Sequence, residues 1–401
     1  MTTEELRTHF PQLGRSVYGK PLVYLDNAAT SLRPQETIDK WTEITATKTA
    51  NLHRAVHCIA NEATAEYENT RKAVADFIKA ADYKEVIFTS GATHAINLAA
   101  YSIGKAFIND GDEIIVSEAE HHSNFVPWQM LCKRKGATLK RLEVDEDGAI
   151  HTDSLKKLIT AKTKVVAVAH ISNVLGLVNP IEEIADLCHK NDIMLLVDGA
   201  QGIVHQPVDV QALGCDFYAF SGHKMYAAPG TGVLWGRKEL LEQMPPMFGG
   251  GEMIETVKWD SSSWAAVPQK FEAGTQNISG TPTLSPAIEL MKQMPENEDV
   301  KAYVYEALMN EPGVKLFGTT DNLKLKAPLF SFAVEGAHHE DLALLLDKMG
   351  IAVRSGQMCA EPLMDRFGTT GMLRASFAPY NTMQEGEYFV TSLRKVIKML
   401  K

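Results

Sequence analysis

Leu195-Leu196-Val197-Asp198-Gly199-Ala200-Gln201 is an apolar run closed by a carboxylate and small turn residues. Read as a strand of a parallel α/β sheet, Ile193–Asp198 puts Asp198 at the carboxyl edge, where such sheets bind ligands. The next apolar run, Asp216–Phe220, leads into Ser221-Gly222-His223-Lys224 and brings a lysine to the same edge. A lysine there is partly desolvated, which favours a neutral, nucleophilic amine suited to Schiff-base chemistry. A carboxylate beside it can hold a pyridinium N–H, and Gln201 can bond the same ring. Taken alone, Asp198 reads equally as a turn cap and Lys224 as a loop lysine. Together, at two strand ends, they are far more specific.

Working outward, Glu85–Thr89 reads as a strand that turns through Ser90-Gly91-Ala92-Thr93 into a helix over Ala95–Phe107. Further strands are expected at Glu113–Ser117, Lys164–His170 and Thr231–Trp235, with helices at Pro127–Lys135 and Ile181–Lys190 between them. The Ser90–Thr93 turn offers free N–H groups and a helix dipole to a phosphate, or else an ordinary serine cap. Glu120-His121-His122 follows a strand, so His121 reads either as a ring that stacks on a ligand and moves protons or as part of a surface pair.

The rhythm changes after the acidic stretch Met291–Val300, which contains Pro295. Helices are expected at Lys301–Asn310, His339–Met349 and Gln384–Met399, and strands at Leu329–Val334, Ile351–Arg354 and Met372–Phe377. This describes a smaller α+β domain. The expected division is an N-terminal segment 1–20 packing with the small domain, a large α/β domain 21–293 and a small domain 294–401, with the site in the cleft. Arg354 and Arg374 are candidates for bidentate recognition of a substrate carboxylate. Cys359, in the loop Arg354-Ser355-Gly356-Gln357-Met358-Cys359, is either a small buried hydrophobe or a reactive thiolate near two arginines.

Composition narrows the function classes. The chain has 401 residues, with 40 Lys and Arg against 50 Asp and Glu for a net charge of −10. No basic cluster suits a run of phosphates, so no nucleic-acid partner is expected. No apolar run is long enough to span a bilayer. Met1–Phe10 carries Glu4 and Glu5 and no targeting pattern, so a cytoplasmic protein is expected. The five cysteines include no C-x-x-C pair, which argues against a disulfide framework and a zinc site; no metal is expected.

These residues, in this order, resemble the fold-type-I pyridoxal-phosphate enzymes of the class V aminotransferase group, and within it the cysteine desulfurases of the SufS type. The resemblance rests on Tyr24-Leu25-Asp26-Asn27-Ala28-Ala29-Thr30, Asn51-Leu52-His53-Arg54, Glu120-His121-His122-Ser123-Asn124 and His170-Ile171-Ser172-Asn173-Val174-Leu175-Gly176. It continues through Asp198–Gln201, Ser221–Lys224, Gly249-Gly250-Gly251-Glu252-Met253-Ile254, Phe271-Glu272-Ala273-Gly274-Thr275 and Arg374-Ala375-Ser376. It covers about residues 20–290 and 329–401.

The resemblance implies a large domain built on a mostly parallel seven-stranded sheet and a smaller α+β domain. It implies pyridoxal 5'-phosphate on Lys224 as a Schiff base, Asp198 on the pyridine nitrogen, Gln201 on the ring oxygen and His121 stacked on the ring. Ala92, Thr93, Ser221 and His223 would bind the phosphate, and Thr275 would reach the neighbouring subunit's phosphate in a homodimer. Asn173 and Arg374 would hold the substrate carboxylate. Lys224 would remove the Cα proton of L-cysteine and Cys359 would attack its sulfur, giving L-alanine and a persulfide. That sulfur would pass to an acceptor protein of the SufE or SufU type, with iron–sulfur cluster assembly as the expected destination. Selenocysteine lyase and cysteine sulfinate desulfinase use the same residues; an epimerase, a kynureninase-like lyase or a sulfur carrier without turnover are more distant alternatives. Three departures stand out, one being that Met291–Leu325 is shortened and matches poorly, so that the small domain is expected to lack part of a helix. Gln357-Met358 replaces the pair of histidines usual before the family's cysteine, and Gln276 stands where proline is usual.

Overall fold

In the structure, a computed structural model that describes residues 1–400, the apolar runs of the first half form one sheet. Its strands are β1 (Val86–Thr89), β2 (Glu113–Ser117), β3 (Thr138–Leu142), β4 (Thr163–Ala169), β5 (Met194–Asp198), β6 (Phe217–Ser221) and β7 (Gly232–Gly236). The seven strands lie in the order β1-β7-β6-β5-β4-β2-β3. Only β7 runs against its neighbours.

Both faces are covered, which is why these strands read as continuous apolar runs rather than alternating ones. In β5, Leu195 and Val197 pack into one core with the helices Cys58–Phe77 and Ile181–His189. Leu196 packs into a second core on the opposite face with the helix Ala92–Phe107. Within this sheet, β3 is the strand that sequence reading missed. It lies at the sheet edge, and its Thr-Leu-Lys-Arg-Leu sequence is mostly half-exposed, so it lacks the apolar signature of its neighbours.

This topology decides where chemistry is placed. β1, β2, β4, β5 and β6 run in one direction, so the residues after each of them gather along one edge.

The C-terminal part forms a four-stranded antiparallel sheet, β8 (Val314–Phe317), β9 (Leu329–Val334), β10 (Arg354–Gly356) and β11 (Met372–Ser376), in the order β8-β9-β11-β10. The helices Glu298–Met309, His339–Asp347 and Met383–Leu400 pack with it in a third core. The strand expected at Ile351–Arg354 is two pieces. Ile351-Ala352 pairs in parallel with Val23-Tyr24, and the chain then crosses to pair Arg354–Gly356 with β11. Val23 and Leu25, expected in the large domain, accordingly pack in the third core.

The N-terminal helix Thr3–Arg7 touches both parts. Leu6 and Phe10 enter the first core, while Arg7 donates to the Tyr380 carbonyl (2.7 Å) and pairs with Glu385 (2.9 Å). Among the described residues, no helix is long and apolar enough to cross a membrane.

Candidate active site

A cavity of about 180 Å³ lies between the carboxyl edge of the large sheet and the face of the small one. Ala92 and Thr93 reach it from the turn after β1, His121 from β2 and Asn173 from β4. Asp198 and Gln201 come from β5, and Ser221, His223 and Lys224 from β6. Arg354, Cys359 and Arg374 close it from the C-terminal sheet. Thr275 stands apart, in a surface depression beside Asn51, Leu52, Arg54 and Glu252.

Lys224 ends the turn Gly222–Lys224 that follows β6. The turn is tight because Gly222 has no side chain: a Cβ there would lie 2.1 Å from Thr231 Oγ1. Burial brings the Lys224 ammonium down to about 8, partly opposed by the nearby Asp198 carboxylate. Asp198 is itself buried, and burial raises its carboxyl while Lys224 draws it back. Its Oδ1 accepts the Ala200 N–H at 2.9 Å, the one hydrogen bond its carboxylate makes among the described residues. Gln201 is pinned by donating to the Ala28 carbonyl at 2.8 Å.

The opposite end of the cavity is the start of the helix Ala92–Phe107. Gly91 precedes it at φ +150°, a conformation that L side chains rarely adopt, with Ser221 Oγ 3.4 Å from where a Cβ would stand. Ser221 Oγ accepts the Ala92 N–H (2.8 Å), Thr93 Oγ1 lies 2.6 Å from Ser123 Oγ, and His223 Nδ1 lies 3.2 Å from Thr30 Oγ1. Hydroxyls at a helix N-terminus suit a phosphate. With an amine poised near neutrality and a carboxylate with one oxygen to spare, the donor set fits a phosphorylated pyridine aldehyde.

His121 accepts the Ser123 N–H through Nδ1 (3.1 Å), so the neutral ring carries its proton on Nε2. Burial, with Lys224 and His122 nearby, lowers its pKa to about 3, and the ring is neutral at physiological pH.

Arg374, in the middle of a fully buried strand, donates from Nη1 to the Asn173 carbonyl (2.8 Å) and from Nη2 to Asp26 Oδ1 (3.1 Å), while its buried Nε has no partner. Burial lowers its pKa to about 10, leaving the guanidinium charged.

The Cys359 loop passes through the left-handed region at two successive non-glycine residues, Met358 at φ +53° and Cys359 at φ +56°. Each costs roughly 1 kcal/mol, so neighbouring contacts must hold the turn. Asn173 Nδ2 donates to the Met358 carbonyl (2.9 Å), the His122 N–H to the Cys359 carbonyl (2.8 Å) and the Glu361 N–H to His122 Nε2 (3.2 Å). Met358, which replaces an imidazole of the family pattern, is buried in the first core.

Each of the other four cysteines is shifted towards the thiol form. Burial pushes Cys132 up to about 11 and Cys188 to about 12, and raises Cys215 further beside Asp216. Cys58 is raised by its hydrogen bond to Glu62.

Sequence reading assigned no role to Asp26 or Glu120 and weighed His122 only as the alternative to His121 for stacking on a ring, though all three lie in the quoted strings. Asp26 holds Arg374, and His122 holds the Cys359 loop. Glu120, which is buried, accepts from Asn124 Nδ2 (2.7 Å) and the Ala169 N–H (2.9 Å). The imidazoles and the lysine drew the reading because those groups carry chemistry by type. A supporting carboxylate has no such mark until its partners are known.

Comparison with known proteins agrees with this geometry. The family described as Aminotransferase class-V matches residues 23–389. The probable cysteine desulfurase of Vibrio cholerae is 42% identical, with all of both chains covered. That of Xylella fastidiosa is 45% identical over 99% of this chain and 96% of its own. The crystal structure of the cysteine desulfurase CsdA (S-sulfonic acid) from Escherichia coli superposes with a TM-score of 0.91 at 38% identity, covering 100% of both chains. The apo cysteine desulfurase from Thermococcus onnurineus gives 0.93 at 36%, covering 100% of this chain and 99% of its own.

Proposed function

Since the chain belongs to the aminotransferase class-V family of pyridoxal-phosphate enzymes, we propose that it is a cysteine desulfurase, converting L-cysteine to L-alanine and leaving a persulfide on Cys359. The observation that carries this reading is that a thiol, a lysine of lowered basicity and two arginines line one cavity. A class V site needs the lysine and a carboxylate anchor for many reactions, but it needs a thiol only to accept sulfur.

Lys224 would carry pyridoxal 5'-phosphate, with Asp198 at the ring nitrogen, Gln201 at the ring oxygen and His121 against the ring face. Ala92, Thr93, Ser221 and His223 would hold the phosphate. Thr275 would complete the phosphate site of a second copy, making the active species a homodimer. When bound, the cofactor supplies an electron sink for negative charge at the substrate Cα.

The chain's own groups do the rest. Arg374, with Arg354 and Asn173, would hold the substrate carboxylate and turn the substrate thiol towards Cys359. Lys224, neutral above about pH 8, would take the Cα proton. Cys359 Sγ would then attack the substrate sulfur. An S–S bond forms, the substrate Cβ–S bond breaks, and its electron pair returns to Cβ, which is protonated to give the methyl group of alanine. His121, with its proton on Nε2, would serve that proton traffic. The net reaction joins an enzyme thiol and L-cysteine to give an enzyme persulfide and L-alanine.

A persulfide must be handed on, so a thiol-bearing acceptor protein of the SufE or SufU type would follow, with iron–sulfur cluster assembly as its destination. Cys359 accepts sulfur only as a free thiol, which a reducing compartment preserves, and the cytoplasm is the proposed location. The division into a large domain to residue 293 and a small one from 294 belongs to the same reading.

The test is a visible absorption spectrum before and after adding L-cysteine, with alanine and sulfide assayed in the same tube. A yellow protein whose band shifts and which releases alanine, with sulfide following on addition of a reductant, supports the proposal. A yellow protein indifferent to L-cysteine overturns the desulfurase reading, and a colourless one that pyridoxal phosphate does not reconstitute overturns the cofactor.

A further inference from the structure

Three consecutive backbone carbonyls in the loop after β4 are each taken by a side chain of the C-terminal part. Arg374 Nη1 donates to Asn173 O (2.8 Å), Ser331 Oγ to Val174 O (2.5 Å) and Lys326 Nζ to Leu175 O. Lys326 Nζ also donates to Gly318 O (2.8 Å). All three donors are at most 2% exposed.

The donors share a frame. Ser331 on β9 is the cross-strand partner of Arg374 on β11, and Arg374 is the partner of Arg354 on β10. The row Ser331–Arg374–Arg354 therefore crosses three strands on one face of the small sheet, because directly opposed residues point to the same side. Lys326 stands just before β9, where the Ala327 N–H also donates to Gly176 O (2.8 Å) and the Val178 N–H to Leu325 O (3.0 Å).

Two features make this more than packing. Burial pushes the Lys326 ammonium down to about 7, so enclosing an amine here costs stability that an apolar side chain of similar length would not. The clasped loop also begins at Asn173, whose amide holds the Met358 carbonyl beside Cys359 while its own carbonyl holds Arg374. One residue thus links the carboxylate-binding arginine to the thiol loop, and the two carbonyls after it are fixed from the other side of the cleft.

We propose that Ser331 and Lys326 are positioning residues, clasping Val174 and Leu175 so that Asn173 holds Arg374 and the Cys359 loop in mutual register. The proposal rests on the reading of Arg374 and Cys359 given above. Neither Ser331 nor Lys326 lines the cavity; each would act through Asn173.

The test compares purified wild-type holoenzyme with Lys326→Met and Ser331→Ala. KM and kcat are measured on L-cysteine, and the alkylation rate of Cys359 by iodoacetamide is read by mass spectrometry. Expected for Lys326→Met is a KM at least fivefold higher, with any fall in kcat accompanying that rise, alkylation at least threefold faster, and unchanged cofactor absorbance. A folded Lys326→Met protein with wild-type KM and alkylation rate overturns the proposal. A fall in kcat alone also overturns it, since that is what a smaller folded fraction produces. Where Lys326→Met does not fold, Ser331→Ala decides, having lost a single hydroxyl: a threefold rise in KM supports the clasp and an unchanged KM and alkylation rate overturn it. If wild type leaves L-cysteine untouched, the functional reading has failed, and the alkylation rate alone then decides the clasp.

Discussion

Arg354 and Arg374 are directly opposed across the antiparallel strands β10 and β11, and both line the cavity. Like charges so placed cost the sheet about 0.2–1 kcal/mol. Asp26 neutralises Arg374 alone, at 3.1 Å. Arg354 makes no ion pair of its own among the described residues, so on the proposed reading a substrate carboxylate entering the cavity would relieve a small standing cost in the sheet.

Arg354→Gln is accordingly expected to trade function for stability. Removing one charge of the opposed pair should stabilise the empty protein by about 0.5 kcal/mol. KM for L-cysteine should rise about tenfold, as a charge-assisted contact worth about 1.5 kcal/mol is lost. Urea unfolding and steady-state kinetics on one preparation read both. A destabilised variant with unchanged KM would mean that Arg354 serves the sheet rather than the ligand.

Glu272 anchors the segment that carries Thr275. Its carboxylate receives Arg71 Nη1 at 2.6 Å and Nη2 at 2.9 Å, with the Phe88 N–H at 2.7 Å. Arg71 is fully buried, so Glu272→Gln leaves a buried cation without its main counter-charge, a loss of about 3 kcal/mol. Thermal unfolding should show a drop of several degrees, and retention of pyridoxal phosphate on dialysis should weaken as Thr275 loses its anchor. A stable variant that sheds no cofactor would separate this segment from the phosphate site.

What the sequence made legible follows from what each feature costs. Buried parallel strands need unbroken apolar runs, so β4, β5 and β6 were readable to within a residue or so at each end. β3, at the edge with Lys140 and Arg141, was not. Chemistry-bearing groups at strand ends, such as Lys224 and Asp198, announce themselves by type and place. The residues that hold them do not: Lys326 reads as one more lysine in Asn322-Leu323-Lys324-Leu325-Lys326 until the fold buries it. The break in Ile351–Arg354 was equally invisible, because both halves are extended and only their partners differ.

Cys359→Ala separates the desulfurase from its closest relatives in chemistry. The variant removes the proposed sulfur acceptor and leaves Lys224, Asp198 and His121 in place, so cofactor absorbance should be unchanged. Turnover of L-cysteine should fall at least a hundredfold, because nothing else at the cavity attacks the substrate sulfur. Selenium leaves more readily, so selenocysteine lysis should survive in part. Full activity on L-cysteine in this variant would show that the nucleophile has been misassigned.

Glu120 should leave a mark on the pH dependence of stability. Burial raises its carboxyl to about 8, more than offsetting the donors Asn124 and Ala169, with the Asp198 charge adding to the rise. In the unfolded chain the group titrates near 4.3. The native state therefore binds this proton more tightly, and the stabilisation is complete below about pH 4 and lost as pH climbs towards 8. Between pH 6 and pH 8 the loss is about 2 kcal/mol, at roughly 1.4 kcal/mol per unit while the native group stays protonated. Glu120→Gln cannot titrate, so whatever its absolute stability, its curve should lack this slope. Urea unfolding of wild type and variant at half-unit steps from pH 5.5 to 8.5 makes the comparison. Parallel curves would mean that Glu120 is ionised in the folded protein throughout that range, its charge carried by the two N–H donors and not suppressed by burial.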